Sequence, residues 1–228
     1  MPEGSYHTNV SQTSSFRNPQ SQIPNYMRLG LFGGSFDPVH FGHLRLAEQC
    51  RAQARLDEVW LTPSAVQPHK LGGPRASALD RLRMLELAVA DIPALSVSRL
   101  EIDRGGVSYT VDTLRAIQAA HLHAELFLLM GADTLRDLPN WREPAAICRL
   151  ATPLVVHRAG APPPDFDVLA PLVSADRLAQ IRALEVEMPA VDISSTEIRE
   201  RVARGESIEG MTPRAVVELI SKHQLYKT

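Results

Sequence analysis

Between Gly30 and Leu46 the chain reads GLFGGSFDPVHFGHLRL. His40 and His43 stand three residues apart there, in a turn that also holds Gly33, Gly34, Asp37, Pro38 and Gly42. Such a turn suits a metal, an anion or plain structure. A metal needs a third and a fourth ligand, and neither an HExxH-like helix nor an acidic cluster adjoins the pair. An anion fits better. Gly33 and Gly34 let the backbone turn tightly and approach closely. A helix beginning near Gly42 aims its unpaired N–H groups at the turn, which favours a phosphate. His40 and His43 flank that point, and each is of a type that donates a hydrogen bond and can carry positive charge near neutral pH. The spacing is neither GxGxxG nor a Walker-type P-loop, so those two fingerprints are excluded.

A second polar cluster lies far along the chain, in DISSTEIRERV from Asp192 to Val202. Ser194 and Glu197 form an S-x-x-E capping box, which starts a helix at Ser195. Ser195 and Thr196 then occupy the first turn, and Arg199 follows about one turn later, where a guanidinium can take a phosphate in bidentate fashion. Two helix starts of this kind suit a polyphosphate held from two sides.

Alternating elements must carry these clusters. RLGLFG, EVWLTP, LSVSRLEI, AELFLLMG, ATPLVVHRAG and LEVEMP read as strands. GHLRLAEQCRAQARL, ALDRLRMLELAVADI, TVDTLRAIQAAH, SSTEIRERVARG and TPRAVVELISKHQLY read as helices. The alternation predicts an α/β fold of the Rossmann-like kind, a doubly wound, mostly parallel sheet with helices on both faces. In such sheets ligands sit beyond the carboxyl ends of the strands. Gly33–His43, Pro63–Lys70, Gly131–Trp141 and Ser194–Arg199 all follow strands, so one composite site is expected. Trp60, within a strand, is expected in the core.

Composition narrows the class. The chain has 228 residues, a formal net charge of −2 and two cysteines. Length favours one substantial domain, and near-neutral charge argues against a nucleic-acid coat. Cys50 and Cys148 show no metal spacing and read as buried free thiols in a reducing compartment. No apolar run reaches membrane-spanning length and no signal-peptide order is present, so a cytoplasmic protein is expected. Residues 1–26, rich in Ser, Asn, Gln and Pro, read as a disordered tail. Residues 27–228 read as the folded domain, and Met27 as a candidate alternative start.

The two signatures together, GGSFDPVHFGH and ISSTEIR, resemble those of the HxGH nucleotidyltransferase superfamily, whose members include nicotinate-nucleotide, pantetheine-phosphate and cytidylyl transferases. SYTVDTL (Ser108–Leu114), PHK (Pro68–Lys70), GAD…LPNW (Gly131–Trp141) and the closing ISKHQLY are similar to bacterial nicotinate-nucleotide adenylyltransferases. The resemblance spans Met27 to Tyr226. It implies transfer of the adenylyl group of ATP to nicotinate mononucleotide, with pyrophosphate released and Mg²⁺ carried on the ATP phosphates rather than in a protein metal site.

By that resemblance His40, His43 and Arg199 are the catalytic residues. Gly33, Gly34, Ser35, Phe36, Gly42, Gly131, Asp133, Ser195 and Thr196 bind ATP, with Gly131 and Asp133 lining the adenosine pocket. Asp37, Lys70, Thr110, Trp141 and Arg142 serve the mononucleotide: Trp141 stacks on the pyridine ring, backbone amides near Thr110 and Arg142 hold its carboxylate, Lys70 meets its phosphate, and Asp37 orients the loop or binds ribose. Two positions depart from the pattern. Ala159 stands where Pro is frequent, and Arg142 where a second aromatic is common. Rival expectations are a pantetheine-phosphate adenylyltransferase and a non-catalytic nucleotide sensor. No nucleic acid or membrane partner is expected, and a homo-oligomer is left open.

Overall fold

A computed structural model of the chain describes residues 27–67 and 73–227. The expected tail over 1–26 and the assignment of Lys70 lie outside the described residues. Among the described residues six strands form one sheet: β1 (Arg28–Gly34), β2 (Glu58–Pro63), β3 (Leu95–Val97), β4 (Glu125–Gly131), β5 (Thr152–Arg158) and β6 (Val186–Met188). Their order is β3-β2-β1-β4-β5-β6, and every neighbouring pair is parallel. The helices are α1 (Phe41–Gln53), α2 (Ala78–Val89), α3 (Leu100–Arg104), α4 (Thr110–Ala120), α5 (Ala132–Asp137), α6 (Pro144–Leu150), α7 (Ala175–Arg182), α8 (Ser195–Ala203) and α9 (Arg214–Lys222).

Alternation along the strands builds two cores. Leu126, Leu128 and Met130 of β4 face one side of the sheet and Phe127 and Leu129 the other, as a two-residue period requires. On the first side Val111, Leu114 and Ile117 of α4 join Leu135 of α5, Ile147 of α6 and Ile181 of α7. On the second, Leu44, Ala47 and Cys50 of α1 join Met84 and Leu85 of α2, Ile198 of α8 and Val216 of α9. With helices on both faces the strands are apolar on both sides, and the doubly wound expectation is met. The chain builds β1, β2 and β3 outward, then returns to add β4 beside β1. That reversal opens a crevice between the carboxyl ends of β1 and β4.

Three local expectations change. LSVSRLEI holds strand geometry only over Leu95–Val97 and becomes α3 at Leu100. Ser98 N still donates to Leu61 O, at 3.0 Å, but Pro63 has no N–H with which β2 could extend the ladder. Helices α5, α6 and α7 are additions to the expected elements; at 6, 7 and 8 residues they are too short for a periodic signal to build up. Trp60 is half-buried and meets His121 edge to face at 5.3 Å, so it borders the core without entering it.

Cys50 and Cys148 are free and buried, and burial pushes the Cys50 thiol up to about 12. Among the described residues no helix is long and apolar enough to cross a membrane. Leu61, with no exposed surface at the centre of β2, tests the packing. Leu61→Ala is expected to lower unfolding free energy by about 2–5 kcal/mol, read by urea denaturation.

Candidate active site

The residues after β1 form a loop with no strand or helix partners for several of its carbonyls, and distant side chains supply the donors. Buried Arg81 of α2 donates from Nη1 to Ser35 O at 2.8 Å and from Nη2 to Ser64 O at 2.7 Å. Arg199 of α8 donates from Nη1 to Asp37 O at 2.7 Å. Ser195 Oγ donates to Pro38 O at 2.8 Å, and Thr212 Oγ1 to Val39 O at 2.8 Å. Phe41 N closes the loop on Met211 O at 3.0 Å. Ser194 caps α8 by accepting from Glu197 N at 3.1 Å, the register that the capping box predicts, and this places Ser195 and Arg199 toward the loop.

Asp37 lies beneath the loop, 3 % exposed. Its carboxylate accepts from Arg75 N at 2.7 Å, Ala76 N at 3.0 Å and the Tyr226 hydroxyl at 2.7 Å. Of the two roles expected for Asp37, the geometry is that of the loop organiser; its oxygens are engaged inside the fold, which leaves the ribose assignment without a contact group. Arg81 balances that buried charge: burial lowers the guanidinium's pKa, and Asp37 and then Tyr226 raise it again. Phe36 also turns inward. It is 1 % exposed, adopts a left-handed φ of 47°, and packs edge-on against Phe32 and His43. Its expected ATP contact is replaced by a packing role, because a ring of that size anchors the loop to the core.

The histidines differ from one another. His40 is the N-cap of α1 and 7 % exposed. Burial, and then the positive Arg158, lower its pKa to about 4, so it is neutral at pH 7 and the expected positive charge there does not arise. His43 Nδ1 accepts from His40 N at 3.3 Å. A ring nitrogen that accepts is unprotonated, which assigns the proton to Nε2. The rings lie 3.8 Å apart, an arrangement that two imidazolium ions would oppose. Gly42 permits it: a Cβ there would meet His40 Cε1 and Nδ1 at 3.0 Å.

His43 faces a cleft of about 380 Å³ at the β1/β4 crevice. Gly33, Gly34 and Ser35 form one wall, and a Cβ on Gly33 would meet nothing within 4 Å, so the backbone lies open to a close-approaching group. Thr110, which also lines the cleft, opens α4, whose N-terminus presents unpaired amides. Gly131, Trp141 and Arg142 complete the rim. Arg142 lies 4.7 Å over the Tyr109 ring and 3.3 Å from Asp112 Oδ2, so the residue that departs from the pattern is held by a cation–π contact and an ion pair.

Asp133 is not brought to this wall. Its side chain is 93 % exposed and pairs loosely with Arg136, whereas Thr134 and Asp137, further around α5, line the cleft. Thr196 and Arg199 lie instead around a smaller cavity of about 120 Å³ with Arg75 and Tyr226. Sequence reasoning missed Arg81, Glu101 and Tyr109. Glu101 is buried on the cleft wall and accepts from Thr113 Oγ1 at 2.7 Å; reading its segment as a strand concealed it. Among the described residues no three His, Cys, Asp or Glu side chains converge as a metal cage.

The family model described as cytidylyltransferase-like matches residues 31–201. A protein of Roseiflexus sp. named "Probable nicotinate-nucleotide adenylyltransferase" is 46 % identical over 199 residues, 87 % of this chain and 98 % of its own length. One of the same name from Thermus thermophilus is 44 % identical over 201 residues, 88 % of this chain and 100 % of its own. The fold matches the Plasmodium falciparum nicotinic acid mononucleotide adenylyltransferase complexed with NaAD, with a TM-score of 0.66 at 16 % identity, covering 87 % of this chain and 97 % of that one.

The environment of His40 makes stability acid-sensitive. Its pKa of about 4 in the fold lies below the ordinary 6.5, so the unfolded chain binds more protons between those values. Stability is then lost as pH falls through that window. Between pH 7 and pH 4.5, urea denaturation is expected to show the protein losing about 2–3 kcal/mol more than His40→Asn.

Proposed function

The chain belongs to the nicotinate-nucleotide adenylyltransferase family, within the cytidylyltransferase-like group, and we infer that it transfers the adenylyl group of ATP to nicotinate mononucleotide, giving nicotinate adenine dinucleotide and pyrophosphate. The observation that carries this reading is the cleft at the β1/β4 crevice, where His43 and the open backbone at Gly33 face Thr110 and Trp141. One side suits phosphates and the other an aromatic ring bearing a carboxylate. We take residues 27–228 as one nucleotidyltransferase domain, acting in the cytoplasm.

In the reaction an oxygen of the mononucleotide phosphate attacks the α-phosphorus of ATP. The new O–P bond forms as the bond to the β-phosphate oxygen breaks, and pyrophosphate carries away the electron pair. That nucleophile is already ionised at neutral pH, so no general base is needed. Alignment of two anions and neutralisation of the charge at phosphorus are what the protein must supply. His43 Nε2–H is the donor we assign to the transferring phosphate. The neutral His40 holds His43 through its own N–H and ring contact, and contacts the ATP phosphates as a hydrogen-bonding group rather than a cation.

Gly33, Gly34, Ser35 and Gly42 shape the approach of ATP, and Gly131 lies under its adenosine. Ser195, Thr196 and Arg199 reach the triphosphate only with what the loop leaves them. Arg199 commits Nη1 to Asp37 O and Nη2 to Thr196 Oγ1, yet a guanidinium carries five N–H donors. The Ser195 hydroxyl is engaged by Pro38 O, so its contribution to a phosphate falls to the backbone amides of the first turn. Trp141 stacks on the pyridine ring. The α4 N-terminus at Thr110 and the Arg142 guanidinium favour its carboxylate electrostatically. Among the described residues no carboxylate cage forms, so Mg²⁺ would arrive on the ATP phosphates and water and add charge neutralisation there.

Pyrophosphate release with ATP tests the substrate. It is expected with nicotinate mononucleotide and not with phosphopantetheine; the reverse result overturns this reading, and release with neither supports a non-catalytic sensor. His43→Ala is expected to lower kcat by about a hundredfold or more with an unchanged circular-dichroism spectrum. Trp141→Ala is expected to raise KM for nicotinate mononucleotide by about tenfold, the equivalent of a lost stacking contact, while KM for ATP stays near wild type.

A further inference from the structure

The closing segment ISKHQLY takes no part in the chemistry assigned so far, yet it reaches the signature loop. After α9 the chain turns through Gln224 and Tyr226, whose φ angles of 53° and 63° are ones that L side chains rarely adopt. Two side-chain contacts accompany the turn. His223 Nδ1 lies 2.9 Å from Asp80 Oδ1, near the start of α2, and the Tyr226 hydroxyl donates to Asp37 Oδ1 at 2.7 Å. Leu225 packs against the core beneath, and its N–H donates to Ile220 O at 3.0 Å.

Asp37 joins both halves of the site. Its carboxylate receives Tyr226, while its main-chain carbonyl receives Arg199 Nη1 at 2.7 Å. Three residues further on stands His40, whose N–H reaches His43 Nδ1. Tyr226 also borders the cavity of about 120 Å³ that Thr196 and Arg199 line. A displacement of Asp37 therefore moves the carbonyl that aims Arg199 and the loop that aims the histidines. The hydroxyl stays a donor across the working range, because burial, then the Asp37 charge and hydrogen bond, push the phenol's pKa upward.

We propose that Tyr226 is a positioning residue for adenylyl transfer, holding the signature loop and Arg199 in register through the carboxylate and carbonyl of Asp37. The proposal rests on the reading that this loop and Arg199 face the ATP phosphates. Without the phenol, Asp37 keeps its two backbone donors and the loop stays folded, but one of the contacts that fix its exact height is gone. Thr110, Trp141 and Arg142 sit on other elements, so the mononucleotide half of the cleft is unaffected.

Steady-state pyrophosphate release by the full chain tests this with Tyr226→Phe, which keeps the ring and deletes one oxygen. Expected is a fall in kcat of about tenfold with KM for nicotinate mononucleotide within about twofold of wild type, the scale that small misplacements of reacting groups produce. Leu225→Ala is the control for a merely structural role: it loosens the same segment, lowers the melting temperature and leaves kcat near wild type at temperatures where it is folded. A double-mutant cycle adds Arg199→Lys, which is expected to depress kcat less in the Tyr226→Phe background than in wild type. Wild-type kcat in Tyr226→Phe, an equal fall in Leu225→Ala, or additive losses in the cycle overturns the proposal. If wild type itself releases no pyrophosphate from ATP and nicotinate mononucleotide, it is the functional reading that fails.

Discussion

A carbonyl withdrawn from water must have a partner, and the loop after β1 presents four buried or half-buried ones that neither strand nor helix satisfies. Those of Ser35, Asp37, Pro38 and Val39 are met by Arg81, Arg199, Ser195 and Thr212. The donors come from α2, from α8 and from the turn before α9, so one loop ties together parts of the chain that lie far apart in sequence. Each such bond contributes modestly, on the order of 1 kcal/mol, whereas an orphaned buried carbonyl would cost more. The loop keeps its shape because three separate elements are packed around it.

This constraint divides the side chains and main-chain groups of the site into two sets. Groups that build the loop turn inward: the carboxylate of Asp37, the ring of Phe36, the Ser195 hydroxyl and the Arg81 guanidinium. Groups that line the cleft include main-chain ones, the backbone at Gly33 and Gly34 and the amides at Thr110, beside the side chains of His43, Trp141 and Arg142. Preorganised amides and one correctly protonated imidazole suit a reaction whose nucleophile arrives already charged. The neutral His40 serves the same end, since a cation 3.8 Å from the His43 ring would lower its proton affinity.

The crevice itself follows from topology. Parallel strands need crossovers, the crossover helices cover both faces, and the reversal of strand order between β1 and β4 leaves a gap where two neighbouring loops diverge. The six-residue α5 and the three-residue turn Leu138–Asn140 then bring Trp141 back to the rim. Arg142, unusual at its position, is accommodated because Tyr109 and Asp112 of the neighbouring segment receive its charge.

The sequence alone determined the doubly wound parallel sheet, the capped start of α8 at Ser195, and the pairing of the first signature with ISSTEIR. These are legible because each rests on local patterns: two-residue and 3.6-residue periodicity, a capping box, glycines at a tight turn. Tertiary structure decided the rest. The short helices α3, α5, α6 and α7 carry too few residues for a pattern to show. Whether a polar side chain serves the fold or the substrate depends on what lies across from it, and residue type does not encode that. Asp37 and Phe36 stand in the signature as ligand contacts would, yet turn into the interior; Asp133 follows a strand end as a pocket residue would, yet lies in solvent beside Thr134, which lines the cleft. The neutrality of His40 and the reach of Tyr226 to Asp37 come from burial and from contacts between distant segments, and these exist only once the chain has folded around its signature loop.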